Sequence, residues 1–142
     1  MLVLHPPVVR FNTFVWEDAS SVAIDRQAAR VAESYSDAGP HTAFVDVPER
    51  RTVARVTRRL DGADLDAPAL GEAGELVFYA GGDRDGSART RLTLLCVLTG
   101  VETIAPAPDA PRTRPAVQTL TFLGVHPAGA DPLTMTAARI ND

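Results

Sequence analysis

The segment RTVARVTRRL, residues 51–60, carries the clearest information on the fold. Successive side chains of an extended chain point to opposite faces, so Arg51, Arg55 and Arg59 share one face. The opposite face carries the apolar residues Ala54, Val56 and Leu60. This alternation predicts a β-strand with one face in the core and the other in water or against a partner.

The residues that follow this strand predict a long loop. Asp61 to Gly74 contains four acidic residues, one proline and three glycines, which makes it too polar for a core. We expect this loop to become ordered against a neighbouring molecule.

The residues before the strand predict a turn and, further upstream, an element of ambiguous type. Thr42 to Val47 alternates as a short strand, and Pro48 to Arg50 has the composition of a turn. In Ile24 to Tyr35 the apolar residues recur at helical spacing, but they also alternate as a strand. Both interpretations remain open for this segment.

The rest of the chain predicts further strands. Val8 to Trp16 is expected to be one strand covered on both sides, and Glu75 to Ala80 is expected to form a hairpin with Arg91 to Val101. Ala116 to Val125 follows a proline-rich break and can pair with the strand before it. We therefore predict a single domain over residues 1–142 that is mainly β, an antiparallel β-sandwich or barrel of about six to eight strands with at most one short helix.

Composition restricts the classes of partner. The hydrophobic fraction of 45% and the charged fraction of 23% are ordinary for a globular domain. A net charge of −4 argues against tight binding of duplex DNA, because affinity for DNA comes mainly from neutralising phosphates. The apolar runs are far shorter than the roughly 18 residues that a membrane-spanning helix needs.

No motif for catalysis or metal binding is found in the sequence. His5, His41 and His126 are isolated, without the spacing of zinc ligands. Cys96 is the single cysteine, and because it lies within an apolar run we expect a buried, inert thiol. The Asp83–Gly86 segment lacks the glutamate that a calcium loop of the EF-hand type requires. We therefore expect no enzymatic activity, no metal and no cofactor.

Three short runs carry a resemblance to a known family. The run VAIDRQAARVAE at residues 22–33 is followed by DAGPH at 37–41 and FVDVPER at 44–50. Together they resemble the tail tube proteins of tailed, siphovirus-like bacteriophages and related gene-transfer-agent particles. The resemblance covers most of the chain through the later segments Gly74–Ala80, Arg89–Val101, Val117–Val125 and Gly129–Pro132.

The resemblance implies a structural role in a virion tail. Members of that family stack as hexameric rings around a channel through which DNA passes transiently and without sequence recognition. It further implies other tail proteins as partners at the tube ends, synthesis in the bacterial host cytoplasm and no membrane association. Family members often have a pair of strands where the helical spacing of Ile24 to Tyr35 occurs.

The candidate inter-subunit contacts follow from the arginine face and the acidic loop. They are Arg51, Arg55, Arg59, Asp61, Asp64 and Asp66. A tail terminator, head–tail connector or distal-tail adaptor is the alternative within the same class. A small-molecule-binding β-barrel, with Trp16, Phe78 and Tyr79 lining a pocket, is the alternative from another class.

Overall fold

Alternating side chains along most of the chain produce antiparallel β-strands. The computed structural model describes residues 1–60, 66–81, 89–105, 108 and 115–138. These residues contain nine strands and no helix. The strands are β1 (Leu2–Leu4), β2 (Val9–Phe11), β3 (Phe14–Trp16), β4 (Ala19–Tyr35), β5 (Thr42–Leu60), β6 (Ala73–Gly81), β7 (Arg89–Ile104), β8 (Ala116–Gly124) and β9 (Leu133–Ala138).

All nine strands belong to one antiparallel sheet. Their order is β1-β4-β5-β8-β7-β6-β2-β3, and β9 pairs with β7. The predicted mainly-β antiparallel class is therefore confirmed, as are the pairings β6–β7 and β7–β8. The strand number exceeds the predicted six to eight because β1, β2 and β3 have three residues each, too few for an alternation pattern to show.

The ambiguous segment Ile24 to Tyr35 is a strand, so its helical interpretation is wrong. It belongs to β4, which pairs with β5 along nearly its whole length. Val22 lies opposite Val56, and Ile24 lies opposite Ala54, all with buried side chains. Pairing with β5 satisfies the backbone hydrogen-bonding groups of β4. This tertiary contact outweighs the helical spacing of the apolar residues, which is only a local preference.

The predicted single strand from Val8 to Trp16 is also wrong. It is a hairpin of β2 and β3, with Asn12 in the left-handed region at a φ of 52°. The turn reverses the chain and places Trp16 opposite Val9, so that both are buried. Val15 is 53% exposed, and the hairpin is therefore covered on one face only.

Pro48 does not end a strand, in contrast to the predicted turn at Pro48 to Arg50. The strand β5 runs through this position, where its register with β4 is irregular. On its other side β5 pairs with β8 only from Val53 to Leu60. A proline is tolerated here because its missing N–H falls at a bulge beside an unpaired edge.

The core lies where β2 and β3 meet the middle of the sheet. Phe122 on β8 has its ring centroid 4.8 Å from that of Phe11 and 6.4 Å from that of Trp16. These contacts place β2 and β3, the last two strands in the sheet order, against β8 in the middle of the sheet. Cys96 is buried in the same core, and burial raises the pKa of its thiol to about 12, which agrees with the predicted inert side chain.

We expect Gly124→Ala to destabilise the fold. A Cβ at Gly124 would lie 2.8 Å from Pro132 Cγ and 3.2 Å from the carbonyl oxygen of Thr52. Because backbone cannot yield as a flexible side chain does, the free energy of unfolding should fall by about 1–3 kcal/mol in urea denaturation. Gly100→Ala is the matched control, since its Cβ would meet Thr121 at an ordinary 3.6 Å. Equal effects of the two changes would contradict this expectation.

Candidate interaction surface

The most unusual feature of the structure is a two-stranded ribbon that extends beyond the sheet. The strand β1 covers the edge of β4 only at Val22–Ile24, and β8 covers the edge of β5 only at Val53–Leu60. Among the described residues, β4 and β5 pair beyond these positions only with each other. Residues 28–50, which we call the arm, are exposed at every position except Val47, which is half-buried.

Within the part of the chain that the structure describes, the arm is held mainly by its own backbone pairing. An isolated pair of strands is marginally stable in water, and an unpaired edge is a template for another chain. One exposed ion pair, Arg30 Nη1 to Glu49 Oε1 at 3.8 Å, joins its strands. Such surface pairs add little stability. The arm is therefore suited to packing against another molecule.

One face of the arm is largely apolar. Glu33 lies opposite Val45, and strand alternation places Val31 and Tyr35 on the same face. Val31 is 47% exposed, Val45 54% and Tyr35 63%. Phe44, 62% exposed, lies on the other face opposite Ser34. Large apolar side chains exposed together in this way mark a contact surface.

The predicted arginine face of β5 is present. Arg51, Arg55 and Arg59 are exposed, whereas the alternate residues from Thr52 to Leu60 are buried. The three arginines extend over eight residues of strand, roughly 26 Å. Arg51 therefore lies at the root of the arm and Arg59 at the other end of the strand.

The acidic candidates are only partly covered by the structure. Asp66 is exposed, and its backbone oxygen accepts a hydrogen bond of 3.2 Å from Arg58 Nη1. Asp61 and Asp64 lie outside the described residues. Asp66 therefore belongs to the same end of β5 as Arg59.

Arg58 is a structural residue that the sequence analysis did not identify. Its guanidinium is buried and donates to both carboxylate oxygens of Asp18 at 3.0 Å, and to Gln118 Oε1 at 2.7 Å. Its carbon Cζ lies 5.3 Å from the ring centroid of Trp16. The signal was present in the alternation, because Arg58 shares its face of the strand with Val56 and Leu60.

A polar groove lies at the root of the arm. It has a volume of about 710 Å³ and is bounded by the arm root and by the segment Gly124–Pro132. Its charged lining consists of Arg26, Arg50, Arg51 and the carboxylate of Asp131, and His126 also faces it. With three arginines and one carboxylate, this root groove favours a negatively charged ligand.

Asp131 holds one wall of the root groove in place. Its Oδ2 accepts a hydrogen bond of 2.8 Å from Arg26 Nη1, and its Oδ1 accepts one of 3.0 Å from the Leu133 N–H. The hydrogen bond from Arg26, followed by that from Leu133, lowers the pKa of Asp131 below its ordinary value of 3.8. The positive charge of Arg50 acts in the same direction.

We expect this contact to titrate in acid. The folded pKa of Asp131 is depressed, so the contact stabilises the fold above about pH 4 and is lost as the pH falls through the folded pKa. In an NMR titration, the Leu133 amide resonance should show a midpoint below 3.8, and Arg26→Ala should raise it. Arg30→Ala, a change of an exposed arginine on the arm, is the control. An unchanged midpoint in Arg26→Ala would refute the assignment.

Metal sites and membrane-spanning helices were the other features sought in the described part of the chain. Residues 1–60, 66–81, 89–105, 108 and 115–138 contain no group of three or more His, Cys, Asp or Glu that could hold a metal ion. Within the same residues, no helix has the length and hydropathy to cross a membrane. The chain matches no protein-family model and no curated protein sequence.

Proposed function

We propose that this chain is the major tail tube subunit of a tailed phage-like particle. In this proposal it is a structural protein that stacks as hexameric rings around a channel for DNA. The observation that carries the proposal is the arm, residues 28–50, whose two strands no other described strand covers. The resemblance of residues 22–33, 37–41 and 44–50 falls mainly on the same element.

The arm favours assembly with identical copies. A projecting ribbon that packs on a different surface of the next copy makes a heterologous contact, which generates closed rings or open-ended stacks. The exposed Val31, Val45 and Tyr35 supply apolar area for such a contact. Arg51, Arg55 and Arg59 on the outer face of β5 supply charged groups beside it. A tube subunit needs both apolar area and charged groups at its contacts with other copies.

The charge of the chain suits a conduit for DNA. The net charge of −4 is compatible with an acidic channel lining, which would repel phosphates rather than bind them and so let DNA slide without being retained. In this proposal DNA passage is transient and non-specific. Other tail proteins cap the tube ends, the protein acts in the virion tail after synthesis in the host cytoplasm, and it uses no cofactor.

Two alternatives make different predictions. A terminator, connector or distal-tail adaptor would use a similar arm to close a single ring that does not stack. The small-molecule alternative needs Trp16, Phe78 and Tyr79 around a pocket. Trp16 and Phe78 are instead buried in the core, and Arg89 Cζ lies 5.0 Å from the ring centroid of Tyr79. None of the three lines the root groove.

Electron microscopy of the purified full chain tests the proposal. Negative-stain images across a concentration series, with light scattering of the same samples, should show hollow tubes built of stacked rings. Single closed rings at every concentration would favour a terminator or connector. A monomer that persists at high concentration would overturn the tube proposal.

A further inference from the structure

The free end of the arm and the groove at its root carry opposite charge. Residues 33–44, which we call the distal arm, contain the exposed carboxylates of Glu33 and Asp37 and no Lys or Arg. The root groove is lined by three arginines and by one carboxylate, that of Asp131. The two surfaces are therefore electrostatically complementary.

The apolar groups of the two surfaces also match. The distal arm exposes two aromatic side chains on its opposite faces, Tyr35 at 63% and Phe44 at 62%. The lining of the root groove includes Val47, Pro48 and Pro132. Aromatic side chains are enriched at the contacts between proteins, where they bury a large apolar area. The distal arm thus presents both the carboxylates and the apolar groups that this groove is suited to bind.

The distal arm cannot occupy the groove of its own chain. The strand β4 continues from Arg26, which lines the groove, to Tyr35, nine residues further on and roughly 30 Å away. Its pairing with β5 extends to the pair Tyr35–Thr42, so the two strands remain a ribbon over this length. A paired ribbon does not turn back to its own root. Only a second copy can bring the distal arm to the groove.

We propose that the root groove of one copy binds the distal arm of a second copy. The groove volume of about 710 Å³ is in the range of binding pockets and suits the narrow end of a ribbon. Arg50 and Arg51 are suited to the carboxylates of the distal arm, because a guanidinium can donate two parallel hydrogen bonds to one carboxylate. The second copy as partner rests on the proposed function, and the inference adds the surface that receives the arm.

This contact has a direction. It joins two different surfaces of the same chain, the groove at the root of the arm and the end of the arm. Repetition of such a heterologous contact generates a closed ring if the rotation between copies closes and an open stack if it does not. Successive copies are therefore expected to follow one another with the same polarity.

A charge exchange in the full-length chain tests the inference. One variant reverses the groove (Arg50→Glu with Arg51→Glu), a second reverses the distal arm (Glu33→Arg with Asp37→Arg), and a third combines all four changes. By sedimentation velocity, each reversal alone should weaken self-association by about tenfold or more, and the combination should restore it to within about threefold. Unaltered association after either reversal, or failure of the combined variant to recover, would overturn the inference.

Two control variants make the same charge changes at exposed positions outside the groove lining and the distal arm. They are Arg10→Glu with Arg91→Glu, and Glu17→Arg with Glu75→Arg. Both should associate as the wild-type chain does, to within about threefold. Controls that lose as much association as the groove reversal would show that net charge, rather than this contact, governs assembly.

Disulfide trapping locates the contact independently of affinity. Ala38→Cys places a thiol in the distal arm of a chain enlarged by a tag, and Ala130→Cys places one at the groove of an untagged chain. Cys96 does not compete, because it is buried and the pKa of its thiol is raised to about 12. Oxidation of the mixture should give a disulfide between one tagged and one untagged chain. Groove reversal in the untagged chain should reduce its yield by about tenfold.

The matched control places the tagged thiol at another exposed position, Thr13→Cys. A mixed disulfide that forms no faster from the distal arm than from this control would overturn the inference. A short DNA duplex that binds the groove, and loses its affinity on groove reversal while no mixed disulfide forms, would overturn it in favour of a nucleic acid.

The outcomes separate this inference from the proposed function. Charge-exchange recovery and the mixed disulfide in a closed dimer, without hollow tubes, would support the contact and overturn the tube. Hollow tubes that are indifferent to both reversals would support the tube and overturn this contact.

Discussion

A variant carrying Val31→Asp and Val45→Asp is expected to associate at least about a hundredfold more weakly than the wild-type chain. Full burial of a valine contributes about 1.5–3 kcal/mol, so burial of the half that is exposed contributes about 1 kcal/mol for each of the two, and each 1.4 kcal/mol changes an equilibrium constant about tenfold. The two carboxylates would also enter the interface without partners. In the free chain both valines are about half exposed, at 47% and 54%, so the fold should tolerate the changes.

Sedimentation velocity measures the association, and urea denaturation of the same sample checks the fold. The control variant places the same two charges at exposed positions outside the arm, Thr13→Asp with Ala69→Asp. Unimpaired association of the arm variant would show that the apolar face of the arm takes no part in assembly. Unfolding of the variant monomer would show that this face belongs to the fold instead.

Removal of the Asp18 carboxylate should destabilise the fold more than removal of the Arg58 guanidinium. In Asp18→Ala the guanidinium of Arg58, whose side chain is only 4% exposed, keeps its positive charge but loses the carboxylate that balances it. This change should lower the free energy of unfolding by about 3–5 kcal/mol. Arg58→Met fills most of the vacated volume and leaves Asp18, whose side chain is 33% exposed, free to turn to water. We expect that change to cost about 1–3 kcal/mol.

Urea denaturation of the two single variants and of the double variant measures this difference. The double variant should be more stable than Asp18→Ala alone, because it no longer contains the uncompensated buried cation. Glu17→Ala, which removes the neighbouring exposed carboxylate, is the control. A larger loss in Arg58→Met than in Asp18→Ala would show that packing of the arginine, rather than its charge, dominates.

The network around Arg58 also joins the start of β4 to the end of β5. Asp18 immediately precedes β4, and its backbone oxygen accepts a hydrogen bond of 3.1 Å from the Arg59 N–H. The ion pair with Arg58 therefore holds the start of β4 against the end of β5. The pairing is irregular at Ala28/Arg30 and again at Arg30/Ala32, so the register of the arm is set by these irregularities as well as by the anchor.

The sequence predicted what depends on neighbours along the chain. The alternation of residues 51–60 identified the exposed Arg51, Arg55 and Arg59, and it correctly separated them from the buried Ala54, Val56 and Leu60. Cys96 was correctly expected to be buried. Predictions over longer segments were less successful, because the reversal at Asn12 and the passage of β5 through Pro48 depend on which strands lie alongside.

The candidate surface was predicted only in part for the same reason. Alternation shows the two faces of a strand, but it does not show whether a layer covers either of them. Residues 28–50 project because β1 stops covering β4 at Ile24 and β8 stops covering β5 at Val53, and both neighbours are distant in sequence. The root groove likewise requires Arg26, Arg50 and Asp131 to meet. The sequence by itself thus determined the strands, their faces and the net charge, whereas only the tertiary structure decided which faces remain uncovered, because burial is set by contacts between distant residues.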